Sequence, residues 1–156
     1  MSFAVRLALF LLLFASAARA EPDTLQPLRG LVGRWSSSGP SPITLEFKLV
    51  AADTTLVETY KTASGKETLT LFHADKGVLL ATHYCAQGNQ PRLQQTTSTP
   101  GHVVFEFKDA TNLASAAASH LHRLELHLTS ATTFTMIETY RENGVDDVST
   151  LVFTRR

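Results

Sequence analysis

Four side chains able to ligate a soft or borderline metal stand as two pairs, each with one residue between: His83 with Cys85, and His120 with His122. Residues two apart on an extended strand share a face, so each pair presents two ligands to the same side. Should the strands bring both pairs together, imidazole and thiolate would suit a tetrahedral zinc site or a copper site. The alternative is plain packing, with the two histidines hydrogen-bonded beside a leucine stripe and Cys85 filling space. Cys85 is the only cysteine, so it has no internal disulfide partner. The same groups can be cast for covalent catalysis, with Cys85 as nucleophile, His83 or His122 as base and Asn89 as the orienting group. That cast fits many chains of similar composition, and catalysis ranks behind binding. An inward histidine could hold haem iron, but no Cys-x-x-Cys-His attachment motif is present, and haem ranks behind a pocket with no cofactor.

A second set is polar. Gly88-Asn89-Gln90-Pro91-Arg92 has the residues of a tight connection: Gly and Asn tolerate positive φ, and Pro91 opens the next strand where a missing N–H is harmless. Asn89, Gln90 and Arg92 are therefore placed to meet a polar or anionic group of a ligand, or else to tie the turn to neighbouring backbone. Leu56-Val57-Glu58-Thr59-Tyr60-Lys61 is echoed by Met136-Ile137-Glu138-Thr139-Tyr140-Arg141, each followed by a Gly-containing turn and another apolar strand. Glu58 and Glu138 share a strand phase with Tyr60 and Tyr140. An inward phase would give a lumen with carboxylates and ligand-binding phenols; the cost of burying carboxylates favours the outward one.

These residues need elements to hold them, and the chain offers strands. Ile43, Leu45, Phe47 and Leu49 alternate with Thr44, Glu46 and Lys48, the pattern of a half-buried strand. Similar runs cover 55–61, 67–73, 78–85, 92–97, 102–107, 121–129, 133–141 and 148–154, after a first strand at 32–37, which makes about ten. Turn residues at 74–77, 99–101 and 142–144 join them closely. Such a sequence predicts an all-β fold, an antiparallel meander closed into a barrel so that no edge is left exposed. Residues 109–119, rich in Ala after Asn112, interrupt the rhythm as a short helix or a loop.

Composition sets the outer bounds. The chain has 156 residues, 44% of them hydrophobic and 18% charged, with a formal net charge of zero. Scattered cations give no footprint for nucleic acid. Residues 1–20 read as a secretory signal: Arg6, then an apolar run too short to span a bilayer, then Ala18-Arg19-Ala20 with small residues at both positions inspected on cleavage. Cleavage removes Arg6 and Arg19 and leaves 12 basic against 14 acidic residues, a mildly acidic exported chain starting at Glu21, periplasmic or secreted, with no membrane anchor expected. The expected plan is a signal over 1–20, a lead over 21–30 and one barrel domain over 31–156.

Gly33-Arg34-Trp35 resembles the Gly-x-Trp signature of the lipocalins and the wider calycin superfamily. The resemblance implies a lipocalin-like barrel in which Gly33 and Trp35 are structural, the indole packing across the closed end. About ten strands suit the fatty-acid-binding-like or nitrobindin-like barrels better than the eight-stranded lipocalins. The stretch from His83 to Arg92, with Asp109-Ala110-Thr111-Asn112-Leu113 and His120-Leu121-His122, is similar to an uncharacterised group of exported bacterial proteins with such barrels; Leu93 stands where that group would have Met. The sequence thus leads to an exported barrel that binds a small, largely apolar molecule in its interior, the alternative being a metal-binding protein or metal-dependent enzyme using His83, Cys85, His120 and His122.

Overall fold

The computed structural model describes residues 23–156; the expected signal and its cleavage point lie outside the described residues. Ten strands follow one another: β1 Gly33–Ser37, β2 Thr44–Val50, β3 Thr55–Lys61, β4 Glu67–Asp75, β5 Val78–Tyr84, β6 Gln90–Thr99, β7 His102–Thr111, β8 His120–Leu128, β9 Thr133–Glu142 and β10 Val145–Arg155. Each pairs antiparallel with its neighbours in sequence, and β1 closes on β10, so the sheet is a complete barrel. This is the all-β closed meander that the alternation and short turns predict. Asn143 and Gly144, at φ 52° and 78°, make the two-residue turn between β9 and β10, a conformation that matches the twist of the flanking strands.

Of the two alternatives for residues 109–119 the loop is found: β7 runs on to Thr111, and an irregular loop with one turn leads to β8. Pairing with β6, Gln90 to Thr111 and Pro91 to Ala110, claims the start of this segment for β7, and the Ala run beyond it is held as a loop in which the Ala117 carbonyl accepts from the Asn143 N–H. The lead, in contrast, is built into the fold. Gln26–Leu31 forms a short 3-10 helix with Pro27 in its first turn, and Leu25, Leu28 and Leu31 are buried in the barrel core. No helix among the described residues is long and apolar enough to cross a membrane.

Under this helix lies Trp35. Its indole Nε1 donates to the Leu31 carbonyl at 2.6 Å, its edge meets Phe134 at 4.9 Å between centroids, and the Arg155 guanidinium sits 4.2 Å over its face. Gly33 has φ 126°, and a Cβ there would lie 2.7 Å from Arg155 Nη1, which donates to the Val32 carbonyl. Only glycine suits that backbone and that close approach. Phe134 joins Phe47 and Phe153 to Trp35 in one aromatic cluster, and Phe72 packs on Phe105 in the same buried core. The lumen is therefore solid at the helix end, and any free space must lie toward the other.

Candidate functional site

The other end is polar. Alternation along β3 turns Leu56, Glu58 and Tyr60 to the same side, and β9 does so with Met136, Glu138 and Tyr140. Leu56 and Met136 are in the core, so the two Glu-x-Tyr pairs point inward. This corrects the outward expectation. The phase of a strand is common to all its residues, and the apolar anchors of β3 and β9 fix it against the cost of burying the carboxylates. Thr70 of β4 and His83 of β5, paired in register, are buried beside them.

A cavity of about 340 Å³ opens over this layer. Glu138, Tyr60, Tyr140, His83 and Cys85 line it, with Thr62, Lys66, Thr68, Ala86, Gln87, Ser119 and Asp147 toward the rim. Asp147 and Lys66 were not singled out in the sequence. The inward phase of β10, read back from the buried Phe153 through Leu151, reaches Asp147; Lys66 lies before β4 in a loop, where alternation gives no guide.

Burial governs the protonation of this layer. Glu58 is pushed up to about 8, first by desolvation and then by the Glu138 charge, with Thr70 hydrogen bonding as a smaller opposing influence. Desolvation lifts Glu138 to about 7. Tyr60 rises to about 12 through desolvation and the two carboxylates, and Tyr140 rises further for the same leading cause. His83 falls to about 4 because its charged form is desolvated, so its imidazole is neutral at physiological pH. His83 Nδ1 lies 3.0 Å from Thr70 Oγ1, and Nε2 lies 3.3 Å from the Tyr140 hydroxyl. When Glu58 is ionised, Thr70 donates to it; His83 then donates from Nδ1 and accepts from Tyr140 at Nε2. Cys85 Sγ is 4.0 Å from the same Tyr140 hydroxyl. Tyr140, His83, Thr70 and Glu58 thus form a polar chain from the cavity wall into the core.

The expected metal set does not assemble. Among the described residues, the one group of three or more His, Cys, Asp or Glu side chains with ligand atoms all within 4.8 Å of one another contains none of His83, Cys85, His120 and His122. The second pair is close only to itself, His120 Nε2 lying 3.2 Å from His122 Nδ1, with both rings against Phe107 and His120 Nδ1 bonded to the Ala118 carbonyl. Two strands, β6 and β7, separate β5 from β8, and the register shifts between Leu121 and Arg123, a bulge that interrupts the alternation at His122. His122 is held below the ordinary imidazole range by desolvation, then by Arg141 and His120. The catalytic cast does not assemble either: His83 bonds Thr70 and Tyr140 rather than the thiol, and Asn89 Nδ2 donates to the Ser119 carbonyl.

Of the residues expected to bind a ligand, Tyr60 and Tyr140 line the cavity, and Asn89, Gln90 and Arg92 do not. Gln90 joins Gly88 to Thr111, and Arg92 forms a two-point ion pair with Asp109 at 2.5 and 2.6 Å. They tie the β5–β6 turn to β7, the second of the two roles open to them. Asn89 Oδ1 is a buried oxygen left without a partner. No family model matches the sequence, and the search of curated proteins finds no match.

Proposed function

We propose that the protein is an exported binding barrel that holds a small molecule in the cavity above Glu138, through an ammonium or similar hydrogen-bond-donating group. The observation that carries this reading is a desolvated carboxyl pair: Glu58 is buried, Glu138 is half-buried on the cavity wall, and neither has a cation in an ion pair among the described residues. Isolated carboxylates are costly in such surroundings, so a ligand cation would offset a large desolvation penalty. The phenol faces of Tyr60 and Tyr140 can cover an apolar ligand body, and a cavity of about 340 Å³ suits a compact one. This reading keeps the largely apolar body expected of the ligand from the sequence and adds a cationic group to it. Trp35 and the phenylalanines are buried in the core, and the free space combines the apolar faces of Tyr60, Tyr140 and Ala86 with the polar groups of Glu138 and His83.

Calorimetric titration with three probes of similar body, tryptamine, its neutral alcohol counterpart tryptophol and the carboxylate indole-3-propionate, tests this. Tryptamine should bind most tightly, and Glu138→Gln should remove its advantage by roughly tenfold or more, about the 1.4 kcal/mol that a charge-assisted bond contributes. Equal binding of the carboxylate, or a Glu138→Gln variant with unchanged preference, would overturn the proposal. For export, N-terminal sequencing of material from outside the cytoplasm should begin at Glu21. A retained Met1 would contradict it.

A further inference from the structure

We infer that the outer wall of the barrel carries a binding site for a zinc-like divalent cation, formed by His102, Glu125 and His127. His102 on β7 and His127 on β8 face each other in register, and Glu125 precedes His127 by two residues on the same face. That face is external, since Leu124 and Leu126 of β8 are buried in the core on the opposite phase. The two imidazoles stack with centroids 4.0 Å apart and planes 17° from parallel. Both Nε2 atoms turn to one oxygen, Glu125 Oε2, at 3.2 Å from His102 and 3.5 Å from His127. The three ligand atoms lie within 4.8 Å of one another.

Those distances suit a metal. Zinc takes nitrogen and oxygen ligands at about 2.0–2.1 Å, which puts neighbouring ligand atoms of a tetrahedron about 3.3 Å apart. The carboxylate oxygen already stands near that spacing from each imidazole nitrogen, and the two stacked rings need only turn about their side-chain bonds for both in-plane lone pairs to meet one ion. Two imidazoles and one carboxylate form a donor set favoured by zinc, and the half-exposed rings leave the fourth position to water.

The surroundings hold this set in place. The other carboxylate oxygen, Glu125 Oε1, accepts from Arg123 Nε at 3.0 Å and Nη2 at 2.9 Å, which fixes the carboxylate and leaves Oε2 to the histidines. Arg123 is balanced in turn by Glu106, whose Oε1 lies 2.7 Å from Nη1. The two glutamates and one arginine leave one net negative charge for the cation. Val104, opposite Glu125 in register and 3% exposed, gives the site a dry floor. The site is remote from the cavity: Gly101 and Leu128, next to these histidines, bond to each other, and Leu128 packs beneath Gly30 at the helix end.

Titration of chelator-stripped protein with zinc chloride should give one ion per chain at micromolar affinity. Single substitutions His102→Ala and His127→Ala should each weaken it by about tenfold or more, as expected when one of three ligands is lost, and Cys85→Ser should leave it as it was. Nuclear magnetic resonance of the unsubstituted protein provides a second measurement that does not depend on the variants folding: zinc should shift the ring protons of His102 and His127 together and leave those of His83 in place. No stoichiometric binding, binding that survives both histidine substitutions, or shifts at His83 in place of His102 and His127 would overturn the site and reduce the cluster to surface hydrogen bonding.

Discussion

Trp35 joins three separate pieces of chain. Its N–H is satisfied by Leu31 in the helix, its edge by Phe134 in β9 and its face by Arg155 in β10. Truncation would empty a volume that these partners cannot all collapse into, so Trp35→Ala should destabilise the protein by about 3–5 kcal/mol, read as a lowered midpoint in urea. A midpoint equal to that of the parent would mean the indole is no plug. The burial of Trp35 was legible from Gly33-x-Trp35, because a glycine two residues before an indole suits a close backbone approach. Glu58 and Glu138 were less legible. Two rules conflict there: charges avoid burial, and a strand cannot turn one residue outward without its phase partners. Leu56 and Met136 settle the conflict, as each shares an inward phase with its glutamate.

At the scale of elements, alternation located all ten strands; pairing lengthened β4, β6, β7, β9 and β10, while β1, β2, β5 and β8 gave up Val32, Ile43, Cys85 and Thr129, which takes Cys85 off the strand that carries His83. β6 grew at both ends and β7 at its far one, bringing Gln90 against Thr111 and Thr99 against His102. Bulges were invisible to alternation. Register shifts between Arg92 and Leu93, between Gln95 and Thr97 and between Leu121 and Arg123 depend on partner strands, and the last of them changes what His120 and His122 can reach. The His102–Glu125–His127 group was concealed for the same reason. Glu125 and His127 have the spacing of a same-face pair, but their meeting with His102 requires the β7–β8 register. The helix over Gln26–Leu31 escaped notice because its three-residue spacing of Leu25, Leu28 and Leu31 is too short to display a period. Arg155 then secures it to the last strand, donating to the Gly30, Val32 and Ala131 carbonyls and bracing a β1–β10 seam that pairs only over Trp35 to Ser37.

The whole molecule is stratified, with an aromatic plug at the helix end and an ionisable layer beneath the mouth, and this arrangement sets how its stability responds to pH. Glu58 and Glu138 have folded values near 8 and 7, above the ordinary 4.5, so the folded chain retains protons that the unfolded chain releases. Their favourable contribution is complete below about pH 4.5 and is lost as pH rises through 7 and then 8. His83 acts in the opposite sense. Its folded value of about 4 lies below 6.5, so its contribution is present above pH 6.5 and is lost as pH falls toward 4. The two influences oppose each other between about pH 4.5 and 6.5; above that window the carboxyl pair acts without opposition from His83. Asp23, Asp146 and Glu125, lowered first by their arginine partners, have finished titrating well below it, and Tyr60 and Tyr140 begin well above. Unfolding free energy should therefore fall from pH 6.5 to 8.5, with a slope approaching about 1.4 kcal/mol per pH unit while one proton is held only by the folded chain. Glu58→Gln keeps the shape of the protonated acid and removes its charge, so the variant should match the parent near pH 6.5, exceed it in stability at pH 8.5 and show a flatter profile throughout. Denaturant titrations of both proteins at four pH values across this range provide the measurement; parallel profiles would mean that Glu58 is solvated and titrates as an ordinary carboxylate.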